Sequence, residues 1–399
     1  MNTPRIISVS VSAVLMGISA ILGYYSSSLP DSYFVEKGET LTLSTALNIE
    51  ACSENLTVPS YISDNFSGSD TNTLKLFGVI PIKDVEVTSV NTPLLTVGGN
   101  PFGIKLLMDG VMVVGVGAVD GGRSPAEEAG IRTGDIIVSV NGEDINSNVQ
   151  LQDAIQISDG SSSEIPVIIN RNGIESVLNL EPVFSEADGS YKAGMWVRDS
   201  SAGIGTITFY EQESGCFGGL GHPICDIDTG EIIPISRGEV VPVSINGVKK
   251  GVAGSAGELQ GCFTSDKACG SLSSNNIYGV FGTLDKSPNS TQPIPMGLKQ
   301  DVHTGSATIM TTVDGTEPEE YSIEIEKIDY KNSEGSKNMI IRITDEKLLA
   351  ETGGIVQGMS GSPIIQDGKL IGAVTHVFVN EPERGYAVFS ENMYEFGKG

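Results

Sequence analysis

Residues 124–142 read SPAEEAGIRTGDIIVSVNG, and their reading decides how the first half of the chain folds. Ser124 stands before Pro125, a residue preorganised for the first helical position, and Glu127 and Glu128 fall in the first turn, where the helix dipole favours acid. Gly130 can take the left-handed conformation that ends a helix. A short helix is therefore expected, followed by a strand over Asp135–Val140 and a tight turn at Asn141-Gly142. Outward from this stretch, Asn148–Ile157 places Val149, Leu151, Ala154 and Ile155 on one side of a second helix. Glu164–Asn170 and Glu175–Leu180 read as two more strands, and Pro101–Val116 (PFGIKLLMDGVMVVGV) reads as a hairpin joined at Asp109-Gly110.

This order of elements resembles a PDZ domain, of the type attached to bacterial membrane-associated proteases, over about Thr96–Val183. The resemblance implies that Phe102, Gly103 and Ile104 form a loop whose amides receive a peptide carboxylate, with the peptide added beside Ile104–Met108. The plainer reading makes Gly103 a turn glycine with nothing bound.

The whole chain has 399 residues, 24 basic and 50 acidic, for a net charge of −26. Nucleic-acid binding needs the opposite sign, so that partner is excluded. The 49 glycines and the 19% of charged residues point to a mainly β protein of two or three domains. Ile6–Tyr25 carries no charge and is long enough to span a bilayer, with Arg5 on its inner flank. A retained membrane helix over residues 1–30 is favoured over a cleaved signal segment, which puts the remainder outside the cytoplasm. Residues 31–95 read as a Ser/Asn/Thr-rich spacer with leading strands toward its end. The five cysteines are too few for a disulfide scaffold, and Cys216, His222 and Cys225 lack the paired half of a zinc site, so no metal is expected.

In the last quarter, Gly358-Met359-Ser360-Gly361-Ser362-Pro363 sets a serine on a glycine-flanked bend before two apolar runs joined at Asp367-Gly368. The glycines let the amides of Gly358 and Ser360 converge on one point, as an oxyanion requires. Turn chemistry alone also explains such a run. A serine nucleophile needs a base, and only His222, His303 and His376 exist. His222 lies in the glycine-rich loop 218–223 and is the best base. His303 reads as a surface residue, and strand alternation would bury His376 as a core residue.

Val197–Thr206, Leu220-Gly221-His222-Pro223 and Gln357–Pro363, with the membrane segment and PDZ unit in the same order, resemble the stage IV sporulation protein B peptidase family. The resemblance implies a chymotrypsin-like double β-barrel over residues 199–399 and a serine endopeptidase with no cofactor. By the same resemblance it acts in the space between forespore and mother-cell membranes, where it cleaves a membrane-bound regulator and so activates sigma-factor processing. It selects Asp345 as the acid and Thr375 as a supporting residue. On sequence alone Asp226, Asp228, Asp266, Asp285, Asp301, Asp314 and Asp329 also lie between His222 and Ser360. Asp226 and Asp228 are too near His222 along the chain to reach its far ring nitrogen easily and read as a solvated Asp-rich loop, and reach in space decides the acid. Partners would be a protein substrate, peptide ends at the PDZ unit and another copy of the chain in trans. The rival reading is a non-catalytic PDZ scaffold.

Overall fold

The computed structural model describes residues 3–397 apart from 44, 54–68, 157–163, 228, 236, 266, 288–290 and 331–334. Asp228, Asp266 and the middle of the expected spacer thus lie outside the described residues. The apolar N-terminal stretch is one helix, α1 (Thr3–Ser28). Among the described residues no helix is long and apolar enough to cross a membrane, so the expected span is not shown. The end of α1 instead belongs to a fold. Tyr25 and Leu29 are buried with Tyr33, Val35, Ile49, Leu74, Leu76, Val85 and Val87.

Those residues come from β1 (Ser32–Glu36), β2 (Ile49–Ser53), β3 (Ser69–Leu76) and β4 (Ile80–Val90), ordered β1-β4-β3-β2. The spacer expected over residues 31–95 is thereby corrected: it carries β1 to β4, joined by turns and irregular chain. In β1 burial alternates, with Tyr33 and Val35 buried and Ser32 and Glu36 exposed, which suffices to bury one face of a sheet.

The main body begins with β5 (Leu94–Val97) and β6 (Pro101–Val116). The hairpin expected in β6 is a single strand. Gly110, at φ 114°, makes a bulge rather than a turn, so residues 108–111 stand opposite the single Asp199. Then come α2 (Pro125–Ala129), β7 (Ile136–Val140), β8 (Glu143–Asp144), α3 (Asn148–Gln156), β9 (Ile165–Arg171), β10 (Ile174–Leu180), β11 (Val183–Ser185) and β12 (Ser190–Lys192). Gly130 ends α2 at φ 88° as expected, but Ser124 Oγ makes no capping bond, and Val149 is exposed while Leu151, Ala154 and Ile155 are buried.

The chain re-enters the body through β13 (Met195–Tyr210), which pairs with β6 along both of its halves. After β14 (Cys216–Gly219), β15 (Arg237–Lys249), β16 (Glu258–Phe263), β17 (Gly270–Asn276) and β18 (Gly279–Leu284), the pairings β6-β15-β17-β18-β14-β13-β6 close a six-stranded ring. Residues 110–198 are therefore an insertion between two strands of this ring. The peptidase boundary expected at residue 199 moves back to β5, because a barrel strand is recognised by its partner and not by its place in sequence.

β19 (Ile294–Pro295) leads to a second closed barrel, ordered β20-β21-β22-β25-β24-β23: β20 (Gly305–Thr311), β21 (Glu319–Ile328), β22 (Met339–Ile343), β23 (Pro363–Gln366), β24 (Lys369–Phe378) and β25 (Glu381–Phe389). Helix α4 (Glu346–Thr352) follows β22, and α5 (Ser390–Gly397) ends the described chain. Phe209, Phe281, Met296, Leu370, Val388 and Met393 form a buried cluster that joins the two barrels. The cleft between the barrels holds the residues of interest.

Candidate active site

The Gly358–Gly361 bend belongs to the second barrel but is held by the first. Thr206 and Thr208 of β13, both buried, grip it with three hydrogen bonds. Thr206 N–H donates to Ser360 O at 3.0 Å, Thr206 Oγ1 to Gly358 O at 2.7 Å and Thr208 Oγ1 to Gly361 O at 2.7 Å. At about 1 kcal/mol net each, they fix the direction of the bend. With its carbonyls drawn toward β13, the amides of Gly358 and Ser360 are left without an acceptor among the described residues. A side chain at Gly361 is impossible, since a Cβ there would lie 2.0 Å from Thr206 O at φ 94°.

His222 follows Leu220 and Gly221, which have φ of 66° and 69°. A Cβ on Gly221 would sit 2.9 Å from Thr375, so this turn passes close against β24. His222 Nδ1 lies 2.8 Å from Pro223 O. A carbonyl can only accept, so Nδ1 carries the proton and, in the neutral ring, Nε2 keeps the lone pair. Ile224 is clamped by Asn275, whose side chain accepts from Ile224 N–H and donates to Ile224 O, both at 2.8 Å.

His222, Gly358, Ser360, Thr375 and His376 line one cleft of about 420 Å3, whose other walls include Ile224, Ile355, Val356 and Val377. Among the described residues no Asp, Glu, Lys or Arg lines it, in a chain with 50 acidic residues. Burial holds His222 below the usual imidazole pKa, partly opposed by its bond to Pro223. Ser360 Oγ donates to Thr375 O at 2.9 Å, and no hydrogen bond joins it to His222 among the described residues.

Four expectations are revised here. Asp345 does not line the cleft. It caps α4, its carboxylate accepting from Leu348 N–H at 3.0 Å and Ser322 N–H at 3.4 Å. Its spacing from Ser360 gives no direction, and a β-region residue before a helix is the ordinary place for a capping acid. Asp226, set aside as solvated, is buried and paired with Arg198.

Phe102, Gly103 and Ile104 cannot receive a peptide. They lie in β6, paired with β13 on one edge and β15 on the other. Phe102 and Ile104 are buried in the barrel core, and a Cβ on Gly103 would meet Phe263 and Val241 at 2.6 Å.

His376 is the residue that alternation misplaced. β24 shifts register between Val374 and His376, so the skipped Thr375 resets the alternation and His376 reaches the cleft. Its ring centroid lies 4.9 Å from that of His222, and its Nδ1 is buried with no hydrogen-bond partner among the described residues. Burial, then His222, then Lys337 push its pKa down to about 4, so it is neutral at pH 7. Thr375 does lie at the site, through its carbonyl; its hydroxyl donates to Ser336 O at 3.1 Å. His303 is at the surface, 2.8 Å from Asp367.

Two family models match this chain. One, described as SpoIVB peptidase S55, covers residues 189–394, and one described as a PDZ domain covers residues 121–169. The first takes in His222, Ser360, Thr375 and His376; the second falls wholly inside the insertion between β6 and β13.

Proposed function

As a member of the SpoIVB peptidase S55 family, whose model covers just over half of it, this chain is a serine peptidase, and we propose that Ser360 is its nucleophile and His222 its base. The observation that carries this is the convergence of Ser360, two acceptor-free amides and a histidine with its Nε2 lone pair in one uncharged cleft between two barrels. In this reading Ser360 Oγ leaves the Thr375 carbonyl for His222 when substrate binds, a tightening common between apo and substrate-bound catalytic groups. The serine then attacks the peptide carbonyl, the amides of Gly358 and Ser360 hold the oxyanion, and His222 passes the proton to the leaving amine. Water releases the acyl group by the same steps reversed. Pro223 O, rather than a carboxylate, orients the imidazole.

The pH profile follows from this. Protonated His222 cannot accept the serine proton, so kcat/KM falls as pH drops through its pKa. Because burial lowers that pKa, the acid limb should lie below the ordinary imidazole value of about 6.5. A midpoint above about 6.5 for hydrolysis of a non-titrating peptide would contradict the carbonyl-held base.

The substrate is a protein segment bound extended, with an uncharged apolar residue before the scissile bond, because burying a charge against Ile355, Val356 and Val377 goes uncompensated. In a peptide set varied only at that position, Leu or Val should exceed Lys and Asp by about tenfold or more in kcat/KM. Equal rates for Lys would reject this specificity.

The physiological substrate in this reading is a membrane-bound regulator outside the forespore inner membrane, whose cleavage activates sigma-factor processing; another copy in trans is a further one. The sporulation-related family supports it. The PDZ unit supplies a second peptide-binding surface that brings partners near the cleft.

A further inference from the structure

We propose that the ion pair between Arg198 and Asp226 is a positioning device through which the PDZ unit holds the His222 loop in place. This rests on the reading of His222 as the base. Arg198 sits at the point where β13 passes from the PDZ unit into the barrel: it pairs with Met112 on the PDZ side of the bulge, and Ser200 pairs with Leu107 on the barrel side. Asp226 lies four residues after His222, with its carboxylate fully buried.

The loop is wound around that carboxylate. Thr229 N–H donates to it at 3.0 Å, Gly230 N–H donates to Asp226 O at 2.8 Å, and Asp226 N–H donates to Glu231 O at 2.9 Å. The Arg198 guanidinium, itself about one-third exposed, reaches the same carboxylate from β13. The next residue, Asp199, which falls at the bulge, accepts from Asn148 N–H, the first amide of α3, at 2.8 Å. One dipeptide of β13 is therefore tied both to the PDZ helix and to the base-bearing loop.

A catalytic group displaced by as little as about 1 Å can lose about 100-fold in rate, while substrate binding along the cleft is little affected. Removing the strut should consequently act on kcat. The test is steady-state hydrolysis of one apolar peptide by the full chain and by Arg198→Gln, Asp226→Asn, their double variant and Arg198→Lys. Cooperative thermal unfolding followed by circular dichroism reports whether each is folded.

For Arg198→Gln and Asp226→Asn, kcat should fall about tenfold or more with KM within about twofold. The double variant should lose no more than either single one, and Arg198→Lys should recover most of the rate. If a single variant does not fold, Arg198→Met with Asp226→Leu is read in its place, because it leaves no lone buried charge. The inference is overturned by a folded variant with kcat within twofold of the parent, by a change confined to KM, or by losses that multiply in the double variant. His222→Ala run alongside separates the two levels. Full activity there rejects the reading of the base itself, whereas a dead His222→Ala beside an active Arg198→Gln rejects only the strut.

Discussion

Ser360→Ala and His222→Ala are each expected to lower kcat/KM for peptide cleavage by about 1,000-fold or more without changing the thermal unfolding midpoint, since both side chains sit in the cleft and neither fills a core. A combined variant should lose scarcely more than either alone, because a nucleophile and its base act as one unit. Asp345 should behave in the opposite way. Asp345→Asn keeps an N-cap acceptor for Leu348 and should retain most of the activity, while Asp345→Ala should cost about 1 kcal/mol of stability and lower activity only as far as it unfolds the protein. If folded Asp345→Asn lost about 100-fold in kcat, the carboxylate would have a role at His222 that its place on α4 does not provide.

Deletion of Thr96–Val183 is expected to abolish folding, not merely PDZ function. It removes β6 from the first barrel, and with it Phe102, Ile104 and Leu106, which are 1–3% exposed. Large-to-small losses at such positions cost about 2–5 kcal/mol each, so three together reach the whole of an ordinary domain's 5–15 kcal/mol. The same insertion suggests where to cut instead. Gly117 N–H already donates to Gly194 O at 2.9 Å, so excising residues 118–193 and joining the ends by a short turn keeps β6 paired with β13. That variant should unfold cooperatively and still cleave short peptides, more slowly than the parent. A folded, active protein after deletion of Thr96–Val183 would show that the barrel does not need β6.

Where sequence signals are local, the structure follows them closely. The helix, strand and turn of Ser124–Gly142 appear at those residues, with Asn141 and Gly142 at φ 54° and 83°, because proline, glycine and Asn-Gly act within a few residues. The nesting of one unit inside another was not legible. β6 is defined by β13, some ninety residues on, and Asp109-Gly110 imitates a turn that long-range pairing overrides. His376 was hidden for a related reason, since alternation holds only while a strand is regular, and the bulge at Thr375 interrupts it. The orienting group of His222 was out of reach altogether. Every search for it runs through Asp and Glu, and the partner is the backbone carbonyl of the next residue.

The most direct measurement is covalent: the full chain is exposed to a fluorophosphonate, which reacts with activated serines, and the adduct is located by peptide mass spectrometry. A single adduct on Ser360 is expected, absent in Ser360→Ala, formed far more slowly in His222→Ala and at near-parental rate in Asp345→Asn. Labelling of Ser360 at the same rate with and without His222, or labelling of another serine in its place, would contradict the assignment of nucleophile and base.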